Sequence, residues 1–453
     1  MLLYFIKRLF LFIPTLLLIS LLVFALLQIS GGDPALNALE SNHHQSNLMG
    51  DEVSKIKDYR KLKKLDLPAF YFSVHRWSSS DTLYRLPYVQ DKLRAEALSY
   101  ASGDWKLVDQ MDKEIKRLLQ EETASSTKKQ LNKILKAKSI AQIEDSFAKI
   151  SARDKFDRLS GLISDLSSNQ WKIKNYIPII RIHGLNNQYH LWLTGILQGN
   201  FGSSFIDEIP VTTKIKEALP ITLGISLCAL LIALCVAVPL GVYSAYYQNG
   251  WLDKICSQLF FVFYALPTFW VATLLVVFLG TGDFLKWFPI YGIGNPDEGA
   301  SFIEKLSIYS AHLTLPIFCY VYGGLAYLFR HIRRSTLEEL KQDYFISAKA
   351  KGLNIHAILW RHLFKKSSFP LITILGNALP ALISGSFVIE YIFSIEGVGM
   401  LMVEAFFSRD YPVILSLLLL GALLTLLGMW LADILYKLAD PRVEIVGAKN
   451  PLK

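Results

Sequence analysis

The chain has 453 residues, 52% of them hydrophobic and only 19% charged, with a formal net charge of +9. Its mean hydropathy is +0.33, and a soluble globular protein needs more surface charge than this, so composition excludes an ordinary soluble domain. Nor does the positive balance mark a nucleic-acid binder, because the cationic excess lies beside apolar runs. It reads as membrane topology and attraction to anionic lipid headgroups.

In chain order, residues 9–29 form an almost wholly apolar run. At about 1.5 Å rise per residue such a run covers roughly 30 Å, the depth of a bilayer core. Lys7 and Arg8 precede it, which places the N-terminus on the cytoplasmic side. The run is too long for a signal-peptide core and ends in Ser30-Gly31-Gly32-Asp33-Pro34 without an A-x-A site, so we expect a retained first helix over residues 1–30.

Residues 31–190 read as an extracytoplasmic, mainly helical insertion. Val53, Ile56, Tyr59 and Leu62 recur at helical spacing, as do Ile140, Ile143, Phe147 and Ile150. Phe156, Leu159, Leu162, Ile163 and Leu166 follow the same period, and residues 121–127 look like a break between helices. The alternative is a spacer without a fixed fold.

Residues 191–443 carry the remaining spans, expected at about 221–245, 255–280, 311–329, 371–393 and 413–436. Six spans place both termini inside, with 444–453 as a cytoplasmic tail. The loops at 281–310 and 394–410 are net acidic and fall outside. The loop at 330–370 falls inside, since residues 330–366 hold nine Lys or Arg against Glu338, Glu339 and Asp343. Pro239, Pro267, Pro316 and Pro380 lie within the spans, which suits a bundle whose neighbours satisfy the freed backbone groups.

Few side chains invite chemistry. Cys228, Cys235, Cys256 and Cys319 lie in or beside apolar runs, without metal-ligand or disulfide spacing. His43-His44 has no spaced third ligand, and His356 and His362 belong to the cytoplasmic loop, so we expect no metal site. No catalytic triad or carboxylate pair is legible, and no G-x-x-x-x-G-K-[ST] occurs, so the chain is expected not to hydrolyse ATP itself. Glu390 is the ionisable residue of most interest. At membrane depth it either lines a translocation pathway or gate, or is paired structurally within the bundle. Asp433 reads as structural, and Trp192, Trp270, Trp287 and Trp430 as interfacial anchors.

Several short pieces occur in a telling order. They begin with Gly32-Asp33-Pro34, Gly199-Asn200-Phe201-Gly202, Leu219-Pro220-Ile221-Thr222, Pro239-Leu240-Gly241 and Leu266-Pro267-Thr268. Then come Asp343-Tyr344 through Gly352-Leu353, Arg361-His362, Glu390-Tyr391-Ile392-Phe393-Ser394, Gly397-Val398-Gly399, Arg409-Asp410-Tyr411-Pro412 and Asp440-Pro441-Arg442. Together they resemble the permease subunits of bacterial ABC importers of the dipeptide/oligopeptide type, a family that includes nickel and glutathione permeases. The resemblance covers the first forty residues and everything from about residue 191 onward. It implies an all-α membrane fold of six transmembrane helices, with cytoplasmic ABC ATPase subunits, a second homologous permease and an extracytoplasmic substrate-binding protein as partners. ATP would be bound by the partner subunits, and this chain needs no cofactor.

The resemblance also implies that Asp343, Tyr344, Ala348, Lys349, Ala350, Lys351, Gly352 and Leu353 form the helix that couples to the ATPase. Two departures stand out. The general importer loop has an acid and two alanines before its glycine, whereas Ile346 and Ser347 fill the first two places here. The insertion is also much longer than is usual. A membrane receptor or scaffold would need a signalling output domain, and an ion-coupled transporter several intramembrane acids. Neither is evident.

Overall fold

The computed structural model describes residues 2–29, 34–35, 38, 52–83, 86, 88–122, 124–150, 156–168, 172–280 and 284–439. Gly32-Asp33, His43-His44 and Asp440-Pro441-Arg442 lie outside these residues. The described chain divides into two compact units, Phe24–Ile206 and Met1–Val23 with Asp207–Lys453.

The chain opens with helix α1 (Leu2–Ile29). The insertion follows with α2 (Glu52–Leu62), strand β1 (Phe72–Arg76), α3 (Val89–Ser102), α4 (Trp105–Glu121), α5 (Ser125–Lys136), α6 (Ile140–Ala148) and α7 (Asp157–Ser168). A short 3-10 turn (Lys172–Asn175), strand β2 (Pro178–Ile182) and α8 (Gln188–Leu197) complete it.

The insertion has its own core. On α4, Val108, Met111, Ile115 and Leu118 are spaced three to four residues apart and are buried as one stripe. They pack with Leu131 and Ile134 of α5, Ile143 and Phe147 of α6, and Leu159, Ile163 and Leu166 of α7. Arg94 is buried in this core with every direction of its fork used. It donates to both carboxylate oxygens of Asp112 at 2.7 and 2.9 Å and to the carbonyls of Ile134 and Ala137. Asp104, Ser139 and Asn187 cap α4, α6 and α8 by accepting backbone N–H groups, each contributing about 1 kcal/mol.

The two strands were not visible in the helical periodicity. They pair antiparallel, Phe72 opposite Ile182 and Arg76 opposite Pro178. Each is five residues long and its partner lies a hundred residues away, so local sequence carries no hairpin signal.

In the other unit, α9 (Val211–Tyr246) is followed by α10 (Trp251–Ala265), α11 (Thr268–Leu279) and α12 (Phe302–Glu339). Next come α13 (Asp343–Ala350), α14 (Ile355–Ala357), a π-helical turn (Ile358–Leu363) and α15 (Phe364–Ser367). The chain continues through α16 (Phe369–Ser384), α17 (Phe387–Ile392), α18 (Val398–Ser408) and α19 (Tyr411–Ala439). Among the described residues five helices are long and apolar enough to cross a membrane, or six if α10 and α11 are counted as one broken span.

Two expected spans are interrupted. Residues 255–280 are not one straight helix, since α10 and α11 meet at 93°. Pro267 has no N–H to donate and disfavours helical backbone at Leu266, which is extended with φ −84° and ψ 126°. The run at 371–393 breaks at Gly385, whose φ of 63° and ψ of −164° suit glycine alone. The helices at 211–246 and 302–339 extend well beyond the apolar runs at 221–245 and 311–329.

The central feature is the packing of α9 against α12, the most extensive helix pair in the fold. The buried face of α9 is a stripe of small residues, Ala218, Thr222, Ser226, Ala229, Ala233, Ala237, Gly241 and Ser244. Small side chains let backbones approach closely, which favours helix association in lipid, where the hydrophobic effect does not act between helices. A methyl group on Gly241 would lie 2.9 Å from Ile332 Cγ2 of α12. The same logic joins α16 to α19, where Gly376 faces Ala432 and the Gly428 carbonyl. Cys256 and Cys319 are buried, while Cys228 and Cys235 lie on exposed helix surface.

Candidate functional site

The segment 343–353 is an eight-residue helix closed by a left-handed glycine. Asp343 sits in the first turn of α13, where a carboxylate favours the helix dipole, and Lys349 sits in the last. Gly352 follows at φ 71° and turns the chain towards Asn354, which caps α14 by accepting the His356 N–H at 2.9 Å.

The two faces of α13 differ in role. Tyr344, Phe345 and Ala348 turn inward. Phe345 is buried in a core shared with Ala237 and Val242 of α9, Leu328, Phe329 and Ile332 of α12, and Ile358, Leu359 and Leu363 of the π-helical turn. Tyr344 donates its hydroxyl to Glu339 Oε2 at 2.7 Å, and Lys366 Nζ lies 3.9 Å from its ring centre. Burial, and then the Glu339 carboxylate, push the Tyr344 hydroxyl above its ordinary range, so it remains a neutral donor. Asp343, Ile346, Ser347, Lys349, Ala350, Lys351, Gly352 and Leu353 are exposed. Ile346 at 60% and Leu353 at 47% exposure are apolar tips on an otherwise cationic surface.

The resemblance placed Tyr344 and Ala348 in the coupling helix together with Asp343, Lys349, Ala350, Lys351, Gly352 and Leu353, with no faces assigned, and Ile346 entered only as a departure from pattern. The structure separates them. Helical phase was the signal that could have done so, since Tyr344 and Ala348 are four residues apart and share a face with the large apolar Phe345.

Where α9, α10 and α12 come together, Asp253 is clamped. Arg333 Nε and an Arg333 terminal nitrogen donate to its two oxygens at 2.7 and 2.8 Å. Ser244 Oγ adds a bond of 2.7 Å and the Asn249 N–H one of 2.9 Å. One carboxylate thus ties the end of α9, the start of α10 and α12, without being singled out in the sequence. Trp360 extends this attachment by donating from its indole N–H to the Tyr243 hydroxyl at 3.2 Å.

Further along the same pair, in the N-terminal third of α9 and midway along α12, Glu390 is fully buried. Thr222 of α9 donates to its Oε1 at 3.0 Å, and Tyr320 of α12 to the same oxygen at 3.2 Å. The N–H groups of Gly399 and Met400, in the first turn of α18, donate to Oε2 at 2.7 and 3.1 Å. Thr222 Oγ1 also accepts from the Val398 N–H at 2.8 Å, and the Tyr320 hydroxyl from the Ser386 N–H at 2.7 Å. A buried carboxylate is tolerated only when its lone pairs are met, and here a helix N-terminus and two hydroxyls meet them. Gly385 and Gly397 complete the cradle, because a methyl group on either would collide with the carboxylate. Glu390 therefore lines no solvent-open path in this structure; it joins three parts of the bundle.

Asp433 lies half-buried in α19. His356 and His362 are exposed at the ends of the π-helical region.

Residues 237–445 match the family described as binding-protein-dependent transport system inner membrane component. The chain is similar to the oligopeptide transport system permease protein AppB of Bacillus subtilis, with 36% identity over 270 residues, covering 58% of this chain and 84% of that protein. It is similar to the inner membrane ABC transporter permease protein YejB of Escherichia coli O157:H7, with 34% identity over 267 residues, 58% of this chain and 73% of that protein. The peptidoglycan transport system permease protein YejB of Agrobacterium fabrum aligns at 30% identity over 247 residues, 54% of this chain and 68% of that protein.

Proposed function

The chain belongs to the binding-protein-dependent inner-membrane permeases of ABC importers, and from that premise we propose that it moves peptides or a similar small solute by alternating access, driven through α13. It is a multi-pass transporter subunit and not the ATPase. The peptide class is drawn from relatives whose names specify oligopeptide or peptide transport. Both termini are placed in the cytoplasm by the positive-inside rule, which puts α13 and the Asp253 clamp inside and Glu390 near the outer face.

The observation that carries this reading is the two-faced α13. Its outward face offers Ile346 and Leu353 for an apolar cleft and Lys349 and Lys351 for acids on a partner. Its inward face is embedded in the core that also holds α9 and α12. A push on α13 by a closing ATPase is thereby delivered to the α9–α12 pair. The same pair is held again at Glu390, through Thr222 of α9 and Tyr320 midway along α12, and we assign Glu390 to holding the outer gate shut rather than to touching solute. ATP binding elsewhere then biases which of two arrangements is populated. A second homologous permease and an extracytoplasmic binding protein complete the assembly.

The test is affinity capture of the tagged chain in mild detergent, comparing wild type with Gly352→Arg. Recovery of an ATPase subunit with wild type and its loss with the variant is expected. Equal recovery with both, or no ATPase with a monodisperse wild type, would overturn the assignment of α13.

A further inference from the structure

The insertion contains a polar cavity that the transport reading does not use. It has a volume of about 470 Å³ and lies between β1, α3 and the 3-10 turn that precedes β2. Cavities that take small ligands run from roughly 300 to 1,000 Å³. Its floor is unusual for a folding core. Asn175 is 5% exposed, and its Nδ2 donates to the Tyr100 carbonyl at 2.9 Å, yet its Oδ1 is buried with no hydrogen-bond partner. Buried polar atoms are nearly always satisfied, so this orphan in the cavity floor indicates a group that arrives from outside.

The rim states what that group carries. Glu96 on α3 and Arg76 on β1 both line the cavity and both are exposed. Neither is held in an ion pair among the described residues. The Arg76 guanidinium lies 5.5 Å from the ring centre of Tyr100, and its planar N–H fork matches a carboxylate. Asn175 Oδ1 and the Glu96 carboxylate are both acceptors. An ammonium offers three donors and one positive charge to meet them.

The geometry points to a binding site in the insertion for a small zwitterion, its primary ammonium on Asn175 and Glu96 and its carboxylate on Arg76. Free amino acids and short peptides share this chemistry. The inference stands on the cavity alone and not on the transport reading, so a failure to bind leaves the permease assignment intact.

The experiment is isothermal titration of the full chain in lipid nanodiscs. The probes are L-alanine, L-alanyl-L-alanine, its N-acetyl derivative, its C-terminal amide and the neutral disaccharide trehalose. One of the two zwitterions is expected to bind saturably at one per chain, and the tighter of the two identifies the source. Acetylation and Glu96→Gln should each weaken binding on the order of tenfold, as should amidation and Arg76→Gln. The acetylated probe should be indifferent to Glu96→Gln, which separates this cavity from any site in the membrane bundle. Both substituted side chains are exposed, and matching thermal midpoints will verify that the variants fold. Absence of saturable binding, meaning that ordered water alone fills the cavity, would overturn the proposal. So would equal affinity for trehalose, or binding undiminished in both variants.

Discussion

Thr222 and Glu390 stand 168 residues apart in sequence and are joined by a 3.0 Å hydrogen bond inside the bundle. Thr222 also accepts the Val398 N–H, so one hydroxyl connects α9 to both the carboxylate and the helix it caps. Three further donors on Glu390 make this knot the place where α9, α12, α17 and α18 meet.

Removing the carboxylate should cost more than removing any one donor. Glu390→Ala orphans two hydroxyls and two N–H groups and is expected to lose about 3–5 kcal/mol, as when one side of a buried charged cluster is deleted. Thr222→Val leaves the Val398 N–H unpaired and is expected to lose about 1–3 kcal/mol. Thermal midpoints of the purified chain in detergent will rank them, and an unshifted Glu390→Ala would sink the knot as a structural element.

The Asp253–Arg333 clamp makes a different forecast. Arg333→Gln leaves a buried carboxylate without its cation and should cost about 3–5 kcal/mol, whereas Asp253→Asn combined with Arg333→Gln should cost less. A double-mutant cycle measures the difference. Strictly additive losses would mean that the two side chains are not coupled.

Close approach of α9 and α12 depends on Gly241. Gly241→Leu should cost about 1–3 kcal/mol by overpacking against Ile332. Adding Ile332→Ala in the same chain should return part of that loss. If the pair is no more stable than Gly241→Leu alone, the contact is not the one that matters.

The two faces of α13 should separate stability from assembly. Phe345→Ala empties a buried site and is expected to cost about 3–5 kcal/mol. Ile346→Asp and Leu353→Asp sit on exposed surface and should change stability by less than about 0.5 kcal/mol while abolishing ATPase capture. Loss of fold in Ile346→Asp would show that this face is internal.

Much of the fold was legible because lipid imposes a simple rule. Runs of apolar residues long enough to cross a bilayer stand out, and residues 211–246, 302–339 and 411–439 all contain one. The breaks were harder to see. Pro267 was noted as tolerable within a span, but whether a proline kinks or severs a helix depends on the neighbours that take up the freed groups. The strands at Phe72–Arg76 and Pro178–Ile182 are paired by tertiary folding across a long separation, which no local period reports. Glu390 was legible as important because an acid among apolar residues needs a reason. Its partners were not, because Thr222, Tyr320 and the first turn of α18 meet only in three dimensions. Arg76, Glu96 and Asn175 carried no signal at all, being ordinary residues of a polar insertion until the chain brings them to one cavity.

The most direct test of the account is site-specific photo-cross-linking of the assembled transporter, with a photoreactive residue placed at position 346, 353 or 345 in turn. Adducts between the permease and an ATPase subunit are expected from 346 and 353 and not from 345. Adducts from all three alike, or only with lipid, would contradict the claim that the outward face of α13 receives the ATPase while its inward face grips the bundle.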